Sequence, residues 1–248
     1  MIYALKDGEK TLPYKGGRAK CPFCFETVVA CTGLIVPHYW RHEAKSKSNC
    51  LAENYESETE WHFTFKGLFD KESVEVRIVK GGIARIADVS LPNGMVLEIQ
   101  KSSITAEEIK KRNKFYKNIV WLFDGSGAAA AGRIDYGYGK YSWIDPIKTV
   151  RYGGESGQPV FVDIGIDKEI GKTIILEIED IWYSKMTKQV EDEKYGSFRN
   201  RNFFKGKCRV LKGHEEFRKR ILELDSLLQP NKMKPEDIEI GVNQLKLF

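Results

Sequence analysis

Arg85-Ile-Ala-Asp-Val-Ser-Leu-Pro-Asn-Gly-Met-Val-Leu-Glu-Ile-Gln-Lys-Ser-Ser103 is the stretch that decides the fold. It reads as a hairpin, with a short apolar strand ending near Val89, a turn at Pro92-Asn93-Gly94, and a second strand from Met95 to Gln100. Alternation sets Val96, Glu98 and Gln100 on one face of that second strand and Leu97 and Ile99 on the other. The turn folds Asp88 back toward Glu98. Two carboxylates brought together repel unless a positive charge neutralises them, and the ordinary neutraliser of hard oxygen ligands is a divalent cation such as Mg²⁺ or Mn²⁺. A cation held there would polarise a phosphodiester and activate a water. The competing reading is an acid at an exposed strand edge or paired with a nearby Lys or Arg, so the flanking sequence has to decide.

On the N-terminal side, Ser57-Glu-Thr-Glu60 has the form of a capping box that opens a helix. Glu58, His62 and Lys66 then recur at successive turns of one face, beside an apolar face of Trp61, Phe65, Leu68 and Phe69. By itself such a set is a wet helix face; placed just before a carboxylate hairpin it becomes a candidate set of catalytic groups. Val74 to Val79 alternates as a strand. On the C-terminal side, Thr105 is a good N-cap for a helix over Ala106–Tyr116, with Glu107 and Glu108 in its first turn and Ile109, Arg112, Phe115 and Tyr116 on its packing side. Asn118-Ile-Val-Trp-Leu-Phe-Asp124 reads as a buried strand reached by a crossover. The order is αβββαβ, an α/β (α+β mixed-sheet) arrangement over 57–124.

Residues 1–56 read as a separate zinc knuckle or ribbon. Cys21-Pro-Phe-Cys24 followed by His38-Tyr-Trp-Arg-His42 suits tetrahedral Zn²⁺, and Cys50 lies close enough to replace either histidine, so four of these five residues are the expected ligands. A redox Cys-x-x-Cys has no need of the histidines. Gly33 and Pro37 interrupt the helix that a DNA-reading finger requires, and a hairpin of Thr27–Cys31 with Leu34–Val36 is expected instead. Cys31, in an apolar strand, is assigned to the core. Arg41, Lys45 and Lys47 form a basic patch, either a phosphate contact or a solvated loop.

The chain has 248 residues, 42% hydrophobic and 30% charged, with a net charge of +5. That composition supports an ordinary core and excludes a disordered chain. The mild positive charge is compatible with a polyanionic partner without requiring one. Its five cysteines are odd in number and clustered beside histidines, which argues for reduced thiols and metal. There is no apolar run of roughly eighteen residues to span a membrane, and the N-terminus lacks a signal-peptide pattern; a cytoplasmic location is expected.

Residues 125–248 read as an extension. Gly125-Ser-Gly-Ala-Ala-Ala-Ala-Gly132 is a candidate break, a small-residue loop. The Tyr-Gly alternation from Arg133 to Trp143 suits a twisted hairpin, the alternative being rings that stack on bases. Pro159–Gly165 and Thr173–Ile178 look like two hairpin strands that extend the sheet. From Trp182 to Arg209 the chain is rich in basic and aromatic residues, among them Lys185, Lys188, Phe198, Arg199, Arg201, Phe203, Phe204, Lys205 and Lys207, a surface for phosphates or a solvated loop. An amphipathic helix over His214–Leu228 closes the chain, with a peripheral tail after Pro230.

An αβββαβ order with a carboxylate in the second strand and Glu98-Ile-Gln100 in the third resembles the core of the PD-(D/E)XK nuclease superfamily, the restriction-endonuclease-like fold. The first half also resembles the competence protein CoiA-like family, in family order, at Cys21-Pro-Phe-Cys24, His38-Tyr-Trp-Arg-His42, Cys50, Glu58-Thr-Glu-Trp-His62 with Lys66, Arg85-Ile-Ala-Asp88-Val, Glu98-Ile-Gln100-Lys-Ser-Ser103, Glu108 through Arg112 and Tyr116, and Val120-Trp-Leu. The resemblance implies Mg²⁺- or Mn²⁺-dependent endonucleolytic or nicking cleavage of single- or double-stranded DNA. Asp88, Glu98 and the Ile99 carbonyl would be metal ligands, and Glu58 and His62 would stand where such nucleases add a metal-binding or water-positioning group. A homo-oligomer is allowed. Two departures stand out. Gln100 replaces the usual Lys, and an amide orients a water without stabilising negative charge; Lys66 or Lys101 would have to supply the cation, although Lys101 belongs to the opposite face. The histidine pair is spaced one residue wider than the family pattern. A nuclease-fold protein that binds DNA or a partner with little or no catalysis is the second reading.

Overall fold

The computed structural model describes residues 1–35, 37–43, 50–54, 59–154, 157–192 and 197–228, with main chain alone at 53–54, 183–192 and 197–201. The chain is a mixed α/β protein that divides into two compact units, Met1–Leu97 with the chain from Leu224, and Glu98–Glu223.

The first unit opens on short strands, β1 (Ala4–Lys6), β2 (Glu9–Thr11), β3 (Arg18–Lys20), β4 (Thr27–Cys31) and β5 (Tyr39–His42), an antiparallel sheet in the order β2-β1-β3-β4-β5. Asp7-Gly8, both at positive φ, makes the two-residue turn whose twist matches the β1–β2 hairpin. Trp40 is the centre of a small core with Met1, Ala4, Ala19 and Val28, and its indole N–H donates to the Thr11 carbonyl at 3.0 Å. The hairpin partner of β4 is Tyr39–His42, with Val28 opposite His42 and Cys31 opposite Tyr39, and not Leu34–Val36 as the sequence suggested. Leu34 and Ile35 are fully exposed, because the strand that can bury Trp40 is the one that pairs. Val36 lies outside the described residues.

After a 3-10 turn at Leu51–Asn54 come α1 (Glu60–Lys66), β6 (Val74–Lys80), β7 (Ile83–Ser90) and β8 (Val96–Gln100). The expected cap at Ser57 lies outside the described residues. The N-cap observed is Thr59, whose N–H donates to His62 Nδ1 at 3.4 Å while its hydroxyl shares a 2.9 Å hydrogen bond with the same nitrogen. β6 and β7 form a hairpin over Gly81-Gly82, again both at positive φ. β7 and β8 pair Val89 with Leu97 and Ser90 with Val96, on either side of a turn closed by the Leu91 N–H to the Met95 carbonyl at 2.8 Å.

Beyond β8 lie α2 (Ala106–Tyr116), β9 (Ile119–Asp124), α3 (Ser126–Ala130), β10 (Ile134–Gly137), β11 (Lys140–Ile144), α4 (Lys148–Gly154), β12 (Val160–Asp167), β13 (Lys172–Ile178), β14 (Trp182–Asp192), β15 (Ser197–Lys212) and α5 (His214–Leu227). The chain order α1-β6-β7-β8-α2-β9 is the αβββαβ expected. Within the second unit the strands run β10-β11-β15-β13-β12-β9, with β14 on β15; β12 is parallel to β9 and the other pairs are antiparallel. Ile119–Phe123 are buried throughout, as their unbroken apolar run predicts. The small-residue stretch after Asp124 is not a linker. It forms α3, opened by Asp124 Oδ1 accepting from the Ser126 N–H at 2.9 Å, with the Gly125 N–H bonded to the Asp163 carbonyl at 2.7 Å. A Cβ at Gly125 would lie 2.6 Å from Val162 Cγ1, so the glycine serves close packing.

Asp225 of α5 ties down the β7–β8 turn. Its buried carboxylate accepts the N–H groups of Asn93 and Met95, each at 3.2 Å, and its carbonyl accepts from Asn93 Nδ2 at 3.2 Å. Asp225→Ala strands those buried donors. A loss of about 2 kcal/mol is expected from urea unfolding midpoints, whereas Asp225→Asn retains part of it.

Candidate functional site

The best-formed cluster is Cys21, Cys24, His42 and Cys50, whose ligand atoms all lie within 4.8 Å of one another. Cys21 to Cys24 form the turn that follows β3, closed by the Phe25 N–H to the Cys21 carbonyl at 3.0 Å with Phe25 at positive φ. His42 ends β5 and Cys50 precedes the 3-10 turn. The sulfurs of Cys21 and Cys50 stand 3.6 Å apart, and Cys24 Sγ is 3.2 Å from His42 Nε2. Backbone N–H groups of Phe23 and Ala52 point at Cys21 and Cys50 Sγ, each at 3.4 Å, the outer-shell donors that a thiolate needs. Burial pushes the Cys21 and Cys50 thiols up, so a dication is what would hold them ionised. Three soft sulfurs and one imidazole fit Zn²⁺. Of the five expected ligands, His38 is the one excluded; it is exposed on the loop before β5. Cys31 stays outside the cluster, on β4 opposite Tyr39.

A second cluster gathers on α1, β6 and β7. His62 and Lys66, candidate catalytic groups on one face of α1, are both buried, with Lys66 1% exposed, so that face is not the wet helix face of the competing reading. Lys66 Nζ lies 3.0 Å from Asp88 Oδ1 and 3.6 Å from Glu75 Oε1. Glu75 and Asp88 occupy facing positions, since the pairs Val74–Val89 and Val76–Ala87 flank them. Glu75 was missed in the sequence because Val-Glu-Val-Arg alternation sends it to solvent. It is instead 2% exposed at φ 51°, and its carboxylate accepts the N–H groups of Ile2 (2.9 and 3.0 Å) and Tyr3 (3.2 Å). A left-handed glutamate within a strand is strained, and these hydrogen bonds and the Lys66 ion pair hold it there. Glu58 lies outside the described residues.

In the second unit, Glu98 is buried and paired with the Arg112 guanidinium, whose Nε also reaches Glu108 Oε1 at 3.0 Å. Thr105 Oγ1 caps α2 by accepting the Glu108 N–H at 3.1 Å, which fixes the turn carrying Glu108 and Arg112. Gln100 is buried, with its amide nitrogen bonded to Ser102 O and Oγ at 3.1 and 3.0 Å. Ile99 is buried as well. Lys101 pairs with Asp124 at 3.6 Å. Among the described residues, no helix is long and apolar enough to cross a membrane.

Compared with protein-family models, curated proteins and solved structures, the chain matches none of them.

Proposed function

We propose that the chain is a metal-dependent nuclease of the PD-(D/E)XK type, cleaving DNA phosphodiester bonds, with the Cys₃His cluster as its structural zinc site. The observation that carries the reading is strand register. Ser90 and Val96 are partners on β7 and β8, and along the chain Asp88 lies two residues before Ser90 and Glu98 two residues after Val96. Asp88, Glu98 and the Ile99 carbonyl are the oxygen donors that would hold Mg²⁺ or Mn²⁺, which when bound supplies Lewis acidity and an activated water. Lys66, 3.0 Å from Asp88, brings the positive charge that Gln100 lacks. His62 and Gln100 remain as groups that orient a water.

A second reading has its own support. Lys66 and Arg112 already neutralise Asp88 and Glu98, so both acids suffice as counter-ions in a nuclease-fold protein that binds without cutting. Incubation of supercoiled plasmid, single-stranded DNA and RNA with Mn²⁺ separates the two. Wild-type protein is expected to nick or linearise DNA, and Asp88→Asn and Glu98→Gln to abolish this while remaining folded. Cleavage that survives both substitutions removes the site; DNA binding without any cleavage by the wild type selects the second reading.

A further inference from the structure

The outer face of β11, β15 and the start of β14 carries a pattern that neither packing nor the acid cluster explains. Register places Lys140 opposite Lys207, and Lys205 between Ser142 and Trp182. Directly opposed residues share a face, so Lys140, Lys205, Lys207 and Trp182 stand together. Tyr141, Trp143, Phe204 and Cys208 are buried on the other face, while the three lysines are exposed and Trp182 is 70% exposed. Like charges opposed across a ladder are unfavourable, and among the described residues no carboxylate forms an ion pair with any of the three. A polyanion would relieve that cost.

The aromatic groups are held for contact. The Trp182 indole N–H donates to Asp180 Oδ2 at 2.7 Å, which fixes the ring edge and leaves its faces to solvent. Lys205 Nζ lies 4.8 Å over the Phe203 ring. Tyr138 is fully exposed at the β10–β11 tip at φ 49°, a conformation costly for a bulky side chain, between Gly137 and Gly139. Gly206 lets the chain reach this arrangement: a Cβ there would stand 1.8 Å from the Asp180 carbonyl oxygen, so the segment leading into β14 crosses β15 only over a glycine.

We infer that this face is a single-stranded nucleic-acid platform, with Lys140, Lys205 and Lys207 on phosphates and bases stacked on Trp182 and Tyr138. Stacking on exposed rings needs unpaired base faces, which a duplex presents only at its ends. As a surface for substrate the platform rests on the nuclease reading, but binding is tested without it. Fluorescence anisotropy in EDTA, with Asp88→Asn protein, should show a labelled oligothymidylate bound more tightly than a blunt duplex. Trp182→Ala should weaken binding about fivefold or more and Trp182→Phe should restore most of it. Lys205→Ala with Lys207→Ala should lower the salt slope by about 1.4. Equal affinity for duplex, or Trp182→Ala and lysine variants that bind like the parent, overturns the platform. Binding with these signatures and no wild-type cleavage in Mn²⁺ overturns the nuclease reading alone; cleavage with indifferent variants overturns the platform alone.

Discussion

Removal of zinc is expected to unfold the first sheet. Its strands are three to five residues long and its core is Trp40 with a few small residues, too little apolar burial to offset the entropy of ordering so many turns. A structural Zn²⁺ contributes on the order of 10–16 kcal/mol at neutral pH, and the cluster joins the turn after β3, the end of β5 and the start of the 3-10 turn. Purified protein should hold about one zinc per chain. Cys21→Ser, Cys50→Ser and His42→Ala should each lose the metal and open residues 1–43 to proteolysis, as should treatment with a strong chelator. His38→Ala and Cys31→Ser should keep both metal and protection. Full zinc content in Cys50→Ser, or its loss in His38→Ala, would show that a different ligand set operates.

Lys66→Met is expected to destabilise the protein by about 3–5 kcal/mol, the range for removing one member of a buried ion pair. The substitution keeps the volume and removes the charge, leaving Glu75 and Asp88 buried side by side with like sign. Glu75 cannot swing away, because its carboxylate also holds the N–H groups of Ile2 and Tyr3. Lys66→Met with Asp88→Asn should recover much of the loss, since one of the two buried like charges is then gone. Lys66→Arg should recover little, its planar fork being a poor replacement for a compact ammonium between two acids. Denaturant midpoints at constant slope measure this. Additive losses in the double variant would mean that Lys66 and Asp88 do not interact.

Elements whose signals are local were legible in the sequence. Thr105 and the acids after it marked the start of α2, and the unbroken apolar run marked β9. The Pro92-Asn93-Gly94 turn marked the β7–β8 hairpin, and Tyr-Gly alternation marked β10 and β11. The Cys21–Cys24 pair announced a metal module, although not its ligands. Periodicity also named Lys66 and Asp88 as candidates, without showing that they meet.

What only the tertiary structure decided is which polar groups are buried and against what. His42 rather than His38 joins the cysteines because β5, not the stretch before it, pairs with β4, and Cys50 arrives from 29 residues beyond Cys21. Glu75 turns inward to meet main-chain donors 72 and 73 residues away, and Asp225 closes a turn 130 and 132 residues earlier. Alternation and capping are properties of a few neighbouring residues, so the chain displays them on its own. Burial of a charge is settled by the partner that compensates it, and that partner is chosen by the packing of distant segments.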